Sequence, residues 1–275
     1  ATLQTHGFWL WAWEGGWGAL PLVATGAGAW AFTESPPDFP ALALRLGLVL
    51  LGWIPLWRAL VNTDWATPLA QWQSWEGGEP LKLWPYLRPG TPGARFLRVM
   101  GEARAWWEAG AAMALSPAVR STLLALGASL LLAWGCGRVA VLLTLLLLAS
   151  AQLIALWHNG SGERSIGGEA LAWVSLPWLL GASLTTEAVF WPLLSAIVLL
   201  LLVKFHAQAS WTAFVGPLLA ALFLLWIRQP VAAGLLLLLG LPGLWLLNAD
   251  LRGAAYRRAV APWLLAMVVL LASVL

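Results

Sequence analysis

Aspartate is nearly missing from this chain: Asp38, Asp64 and Asp250 are the only three in 275 residues. No two are neighbours in sequence, so no paired-aspartate metal or acid–base motif can be written. Charge of any kind is scarce, at 10% of residues against 61% hydrophobic, with a mean hydropathy of +0.79. A chain with so little charge cannot coat a globule for water. A lone cysteine, Cys136, excludes an intramolecular disulfide. Set among Trp134, Gly135 and Gly137, it reads as a small packing residue. GxGxxG, Walker A, HExxH and CxxC patterns are also missing, which leaves nucleotide, zinc and dithiol chemistry without a basis.

What the chain does have is long apolar runs. A helix needs ~20 mostly apolar residues to cross the hydrocarbon core. Nine such spans are expected, at about 13–33, 41–61, 118–136, 138–157, 168–185, 188–207, 211–228, 230–248 and 256–275. Runs such as Leu142–Ala149 do not alternate as barrel strands would, and helices satisfy their own backbone in lipid. The expectation is an all-α polytopic membrane protein, one transmembrane helical domain over 1–275. Before the first run stand one His and no Lys or Arg, with no small-x-small cleavage site after a short core. The first span is therefore expected to stay in the chain.

Basic residues orient these spans. Twelve of the fifteen Lys and Arg fall on the face shared by the N-terminus and the even-to-odd loops; only Arg45, Arg138 and Arg228 fall opposite. By the positive-inside rule the N-terminus is cytoplasmic, and the charges nearest the membrane interior, Arg45, Arg138 and Lys204, lie close enough to span ends to snorkel. The Leu/Ala/Trp-rich composition points to a bacterium, hence the inner (plasma) membrane. The lipid bilayer and other membrane subunits are the expected partners. Nucleic acid is not, because the net charge of +3 is a topology signal with no basic soluble face behind it.

The 22 tryptophans crowd the span ends, as an interfacial belt would. Trp53, Trp134, Trp173 and Trp178 lie deeper and are the candidates for packing or for lining a quinone, pigment or isoprenoid tail. Ala24 with Gly28, and Gly240 with Gly243, are small pairs that would let helices approach closely. One connection is long: the cytoplasmic loop 62–117, Gly/Pro-rich at first and then amphipathic over about 94–115. Phe96, Leu97, Met100, Ala103 and Trp107 share one face of that expected helix. It would lie on the membrane surface or close as a lid on the protein's own cytoplasmic face.

Nine helices, a cytoplasmic N-terminus and an enlarged loop after helix 2 resemble the UbiA superfamily of intramembrane aromatic prenyltransferases. The segment Gly160–Glu169, which contains Arg164, followed by Pro177–Gly181, is similar to that family's basic, Gly-rich turn and fifth helix. Leu247–Arg258, running into Pro262–Trp263, resembles its last hairpin. Active members carry two Asp-rich motifs, after helices 2 and 6, whose carboxylates hold Mg²⁺ against a prenyl diphosphate. Here the first position reads Asn62-Thr-Asp64, without the later acids, and the second reads Lys204-Phe-His206-Ala-Gln208, without any acid. Hard Mg²⁺ needs oxygen ligands, so the resemblance implies the fold without the chemistry.

The expectation is a non-catalytic UbiA-like subunit of a larger membrane complex, respiratory or photosynthetic by analogy. Catalytic residues and metal ligands are not assigned. The ligand-contact candidates are Asn62, Asp64, Arg164, Lys204, His158, His206, Trp53 and Trp134. Quinone, isoprenoid lipid and pigment stay open as bound groups. Haem between His158 and His206, both at cytoplasmic span ends, is disfavoured because span-end histidines are commonly solvated. A divergent prenyltransferase using Asp64, Glu76 or Glu79 is the alternative enzyme reading.

Overall fold

A computed structural model describes residues 17–33, 36–61, 90–106, 112–161, 166–186, 188–208, 210–248 and 253–275. Every regular element among them is helical. A 3₁₀ turn, Trp17–Ala19, leads into α1 (Leu20–Ala31). Then come α2 (Phe39–Val61), α3 (Pro92–Trp106), α4 (Ala112–Cys136) and α5 (Arg138–Ser161). The chain continues with α6 (166–182), α7 (Phe190–His206), α8 (Trp211–Trp226), α9 (Pro230–Asn248) and α10 (Gly253–Val274).

Among the described residues, five helical stretches are long and apolar enough to cross a membrane: Phe39–Val61, Val119–Cys136, Arg138–Ala155, Pro230–Leu247 and Ala255–Val274. The chain is a membrane-embedded helical protein. In the other four expected spans the described helices are shorter than the hydropathy suggested. α1 has 12 residues, α7 has 17, and α6 stops at Ala182, where the backbone turns through 183–185. α8 stops at Trp226 because Arg228 takes φ 63°, a left-handed residue that ends a helix. Its neighbour's N–H, on Gln229, reaches back to the Leu224 carbonyl at 2.8 Å, and Pro230 then opens α9.

The long connection also differs from its expectation. Thr91 accepts the Ala94 N–H at 3.3 Å, a side-chain N-cap, and Pro92 takes the first helical position. The helix thus begins at Pro92, inside the stretch expected to be turn-rich, and is described as far as Trp106. Residues 62–89 and 107–111 lie outside the described residues.

The buried side chains form two apolar clusters joined through α1 and α6. One gathers Leu20, Trp178, Leu199, Leu224, Tyr256 and Leu264 from α1, α6, α7, α8 and α10. The other gathers Leu48, Trp53, Ala133, Leu147 and Leu176 from α2, α4, α5 and α6. The joint is a close crossing of α1 and α6. A methyl at Gly28 would run into the Trp178 carbonyl oxygen, and one at Gly181 into that of Thr25. Without Cβ atoms the two backbones meet, which is how membrane helices gain dispersion contact where lipid and side chain are equally apolar. The sequence marked Gly28; its partner Gly181 follows only from the crossing.

α2 and α6 each contain a π-helical segment, Leu48–Trp53 and Leu171–Ser175. Such insertions shift side chains around the helix axis. Arg45, expected to snorkel outward, is instead 8% exposed and donates from Nε to the Leu180 carbonyl at 3.2 Å and from Nη1 to Ala41 at 3.3 Å. Leu180 sits in the last turn of α6, where carbonyls lack helical partners, so a cation is better placed there than at the lipid boundary.

Candidate functional site

Of the eight candidate contact residues, the structure describes four side chains: Trp53, Trp134, Lys204 and His206. Asn62, Asp64 and Arg164 lie outside the described residues, as do Glu76 and Glu79. His158 belongs to the last turns of α5, but its side chain is likewise outside them.

Lys204 and His206 end α7, where α6, α8, α9 and α10 converge. His206 corrects the expectation of a solvated span-end residue, because it is fully buried. Its Nδ1 lies 3.1 Å from the Ala213 carbonyl in the first turn of α8. A carbonyl only accepts, so Nδ1 carries the proton and Nε2 is left as a bare acceptor. Nε2 has no hydrogen-bond partner among the described residues.

The ring instead packs on the α9 backbone: a Cβ at Gly243 would lie 2.5 Å from Cε1 and 3.0 Å from Nε2. The Gly243 carbonyl in turn accepts from Tyr256 Oη of α10 at 3.4 Å. His206 therefore wedges α7, α8 and α9 together. Any group bound at Nε2 would have to displace the α9 backbone.

Around this wedge the charged groups are mostly cationic. Lys204 is half-buried, its Nζ 5.6 Å from the centroid of the Phe205 ring and its stem beside Gly167. Glu169, the carboxylate that α6 brings to this end, pairs with Arg257 of α10 at 3.3 Å. Among the described residues no group of three or more His, Cys, Asp or Glu could hold a metal ion. Lys204, His206 and Glu169 are thus brought to one end of the bundle, with the acid already matched by an arginine.

The buried tryptophans are hydrogen-bonded inside the bundle. Trp53, 2% exposed, donates from Nε1 to Thr144 Oγ1 at 2.9 Å, and Thr144 passes the bond on to the Ala140 carbonyl at 2.8 Å. Trp178 donates to Ser195 Oγ at 2.9 Å and meets Phe32 edge to face. A crevice opens between α2, α5 and α6, walled by Trp53, Trp57, Trp173, Ile54 and Leu147, with both π segments contributing. Its volume of ≈ 10 Å³ matches one water-sized sphere. Ligand pockets run to ~300 Å³ and above, so the crevice as it stands admits neither a quinone ring nor a prenyl unit.

Trp134 departs from its expected place. It is 82% exposed at the C-terminal end of α4, beside the Gly137 turn, so it is not packed into the core of the described residues. It continues an outward apolar face with Leu123, Leu124 and Leu131, each more than 60% exposed. Only 17% of the Val119–Cys136 span is buried, against 39% for Phe39–Val61 and for Ala255–Val274. Compared with family models, with curated proteins and with solved structures, the chain matches none.

Proposed function

We propose that this chain is a non-catalytic, UbiA-like integral membrane protein that serves as an accessory or structural subunit of a larger membrane complex, respiratory or photosynthetic in kind. The observation that carries the reading is the outward face of α4. Its large apolar side chains, with Trp134 at the end, face outward rather than into the described core. An indole this exposed has the composition of an interface anchor, apolar in body with one donor at its edge.

The chemistry of the convergent end supports the same reading. Among the described residues its charged groups include Lys204, Arg257, Arg258 and the arginine-matched Glu169, and its histidine is spent on packing. A diphosphate-activating centre needs carboxylate oxygens for Mg²⁺ at this end, and positions 204–208 supply none. In this reading all nine apolar segments cross the bilayer, the N-terminus is cytoplasmic and the membrane is a bacterial inner membrane.

The test is purification of the tagged chain from native membranes in mild detergent, with mass spectrometry and an absorption spectrum of the eluate. Stoichiometric co-purification with redox or pigment-bearing subunits is expected. A monodisperse, colourless chain that binds a prenyl diphosphate with Mg²⁺, and loses that binding in Asp64→Ala, overturns the proposal in favour of an enzyme.

A further inference from the structure

α3 presents its faces in an unexpected arrangement. At about 100° per residue, Phe96, Val99, Met100 and Ala103 form one stripe. The first three of these are 64%, 50% and 47% exposed. Ala94 and Gly101, roughly 150° from Phe96 around the helix, are the buried positions. The helix thus turns its small face inward and its large apolar face outward. A lid closing on the protein's own surface would do the reverse.

The charges complete the pattern. Arg95 and Arg104 fall about 100° and 80° to either side of Phe96, and Arg98 lies on the polar side with Glu102. Three arginines against one glutamate leave the described helix at +2. Long basic side chains flanking an apolar stripe can keep their heads among phosphates while their stems cover hydrocarbon.

The bilayer is within reach. α3 lies between Phe39–Val61 and Val119–Cys136, two helices able to cross it, so the connection leaves and re-enters on one face.

We propose that α3 is a surface anchor that docks Phe96, Val99 and Met100 into the headgroup–acyl boundary of an anionic leaflet, with its arginines on the lipid phosphates. This holds independently of the subunit reading, since it requires only that the chain sit in a membrane.

The test uses the full chain in lipid nanodiscs, with Cys136→Ala removing the native thiol and an environment-sensitive fluorophore attached at Phe96→Cys, Met100→Cys or Arg98→Cys. Discs contain phosphatidylcholine alone or an equal mixture with phosphatidylglycerol. In the mixed discs, lipid-borne quenchers near the headgroup should quench the label at 96 and 100 and leave aqueous iodide without effect; at 98 the order should reverse. Arg95→Gln should lower the docked-to-undocked ratio at position 96 about fivefold in the mixed discs. Monodisperse elution of each variant controls for folding.

A label at 96 that iodide quenches freely overturns the proposal. So does one shielded from both quenchers, which assigns the stripe to a protein neighbour. Equal lipid quenching in the two disc types overturns the anionic preference.

Discussion

The Arg45 guanidinium of α2 donates through Nε to the Leu180 carbonyl of α6, 3.2 Å away, in a setting where the arginine is 8% exposed. A buried cation facing the carbonyl end of a helix ties the two apolar clusters together, since α2 belongs to one and α6 to both. Arg45→Met should keep the length of the side chain and lose the bonds, at a cost of about 1.5–3 kcal/mol. A lower thermal unfolding midpoint in detergent checks it; an unchanged midpoint says that the arginine is solvated instead.

The α1–α6 crossing predicts a sharp contrast among glycines. Gly28→Ala and Gly181→Ala place a methyl against opposing backbone, which cannot rotate away, and each should cost at least about 1–3 kcal/mol. Gly26→Ala, two residues earlier on another side of the helix with open space around it, should be neutral or stabilising by up to about 1 kcal/mol. Equal behaviour of Gly26 and Gly28 in a detergent melt would mean that the helices do not meet there.

Two left-handed positions predict opposite signs. Gly137 holds φ 104° in the turn between α4 and α5, and Arg228 holds φ 63° after α8. Gly137→Ala should lose about 1–2 kcal/mol, whereas Arg228→Gly should gain up to about 1 kcal/mol by relieving the Cβ contact. Paired unfolding curves of the two variants decide it by sign alone.

For Trp53 and Thr144 the expected quantity is a coupling. Trp53→Phe and Thr144→Val should each destabilise the protein, and the double variant should cost less than their sum by about 0.6–1.7 kcal/mol, the range for buried hydrogen bonds between membrane helices. Strict additivity would show that the 2.9 Å contact carries no energy.

Much of this architecture is legible in the sequence because hydropathy is a local property. Pro230 starts α9 and Gly137 breaks α4 from α5 as their chemistry dictates. What escapes is whatever depends on a neighbour. Arg228 has no intrinsic preference for a left-handed turn, and the π segments at Leu48–Trp53 and Leu171–Ser175 have no local signature. His206 reads as a span-end residue by position, and only the Ala213 carbonyl and the glycine opposite, Gly243, make it a wedge. Trp134 reads as deep by position, but the one-residue turn at Gly137 puts it at the tip of a hairpin. The candidate contact residues Asn62, Asp64 and Arg164 rest on sequence alone, because they lie outside the described residues.

If the outward face of α4 belongs to a neighbouring subunit, photo-crosslinking in native membranes will trap that contact. A photoreactive amino acid placed at Trp134 or at Leu131, both more than three-quarters exposed, is compared with one at Leu147, which is 1% exposed. The same single protein adduct is expected from positions 134 and 131, and none from 147. Lipid adducts alone at 134 and 131 would contradict it, leaving that face to the bilayer and the chain without a partner there.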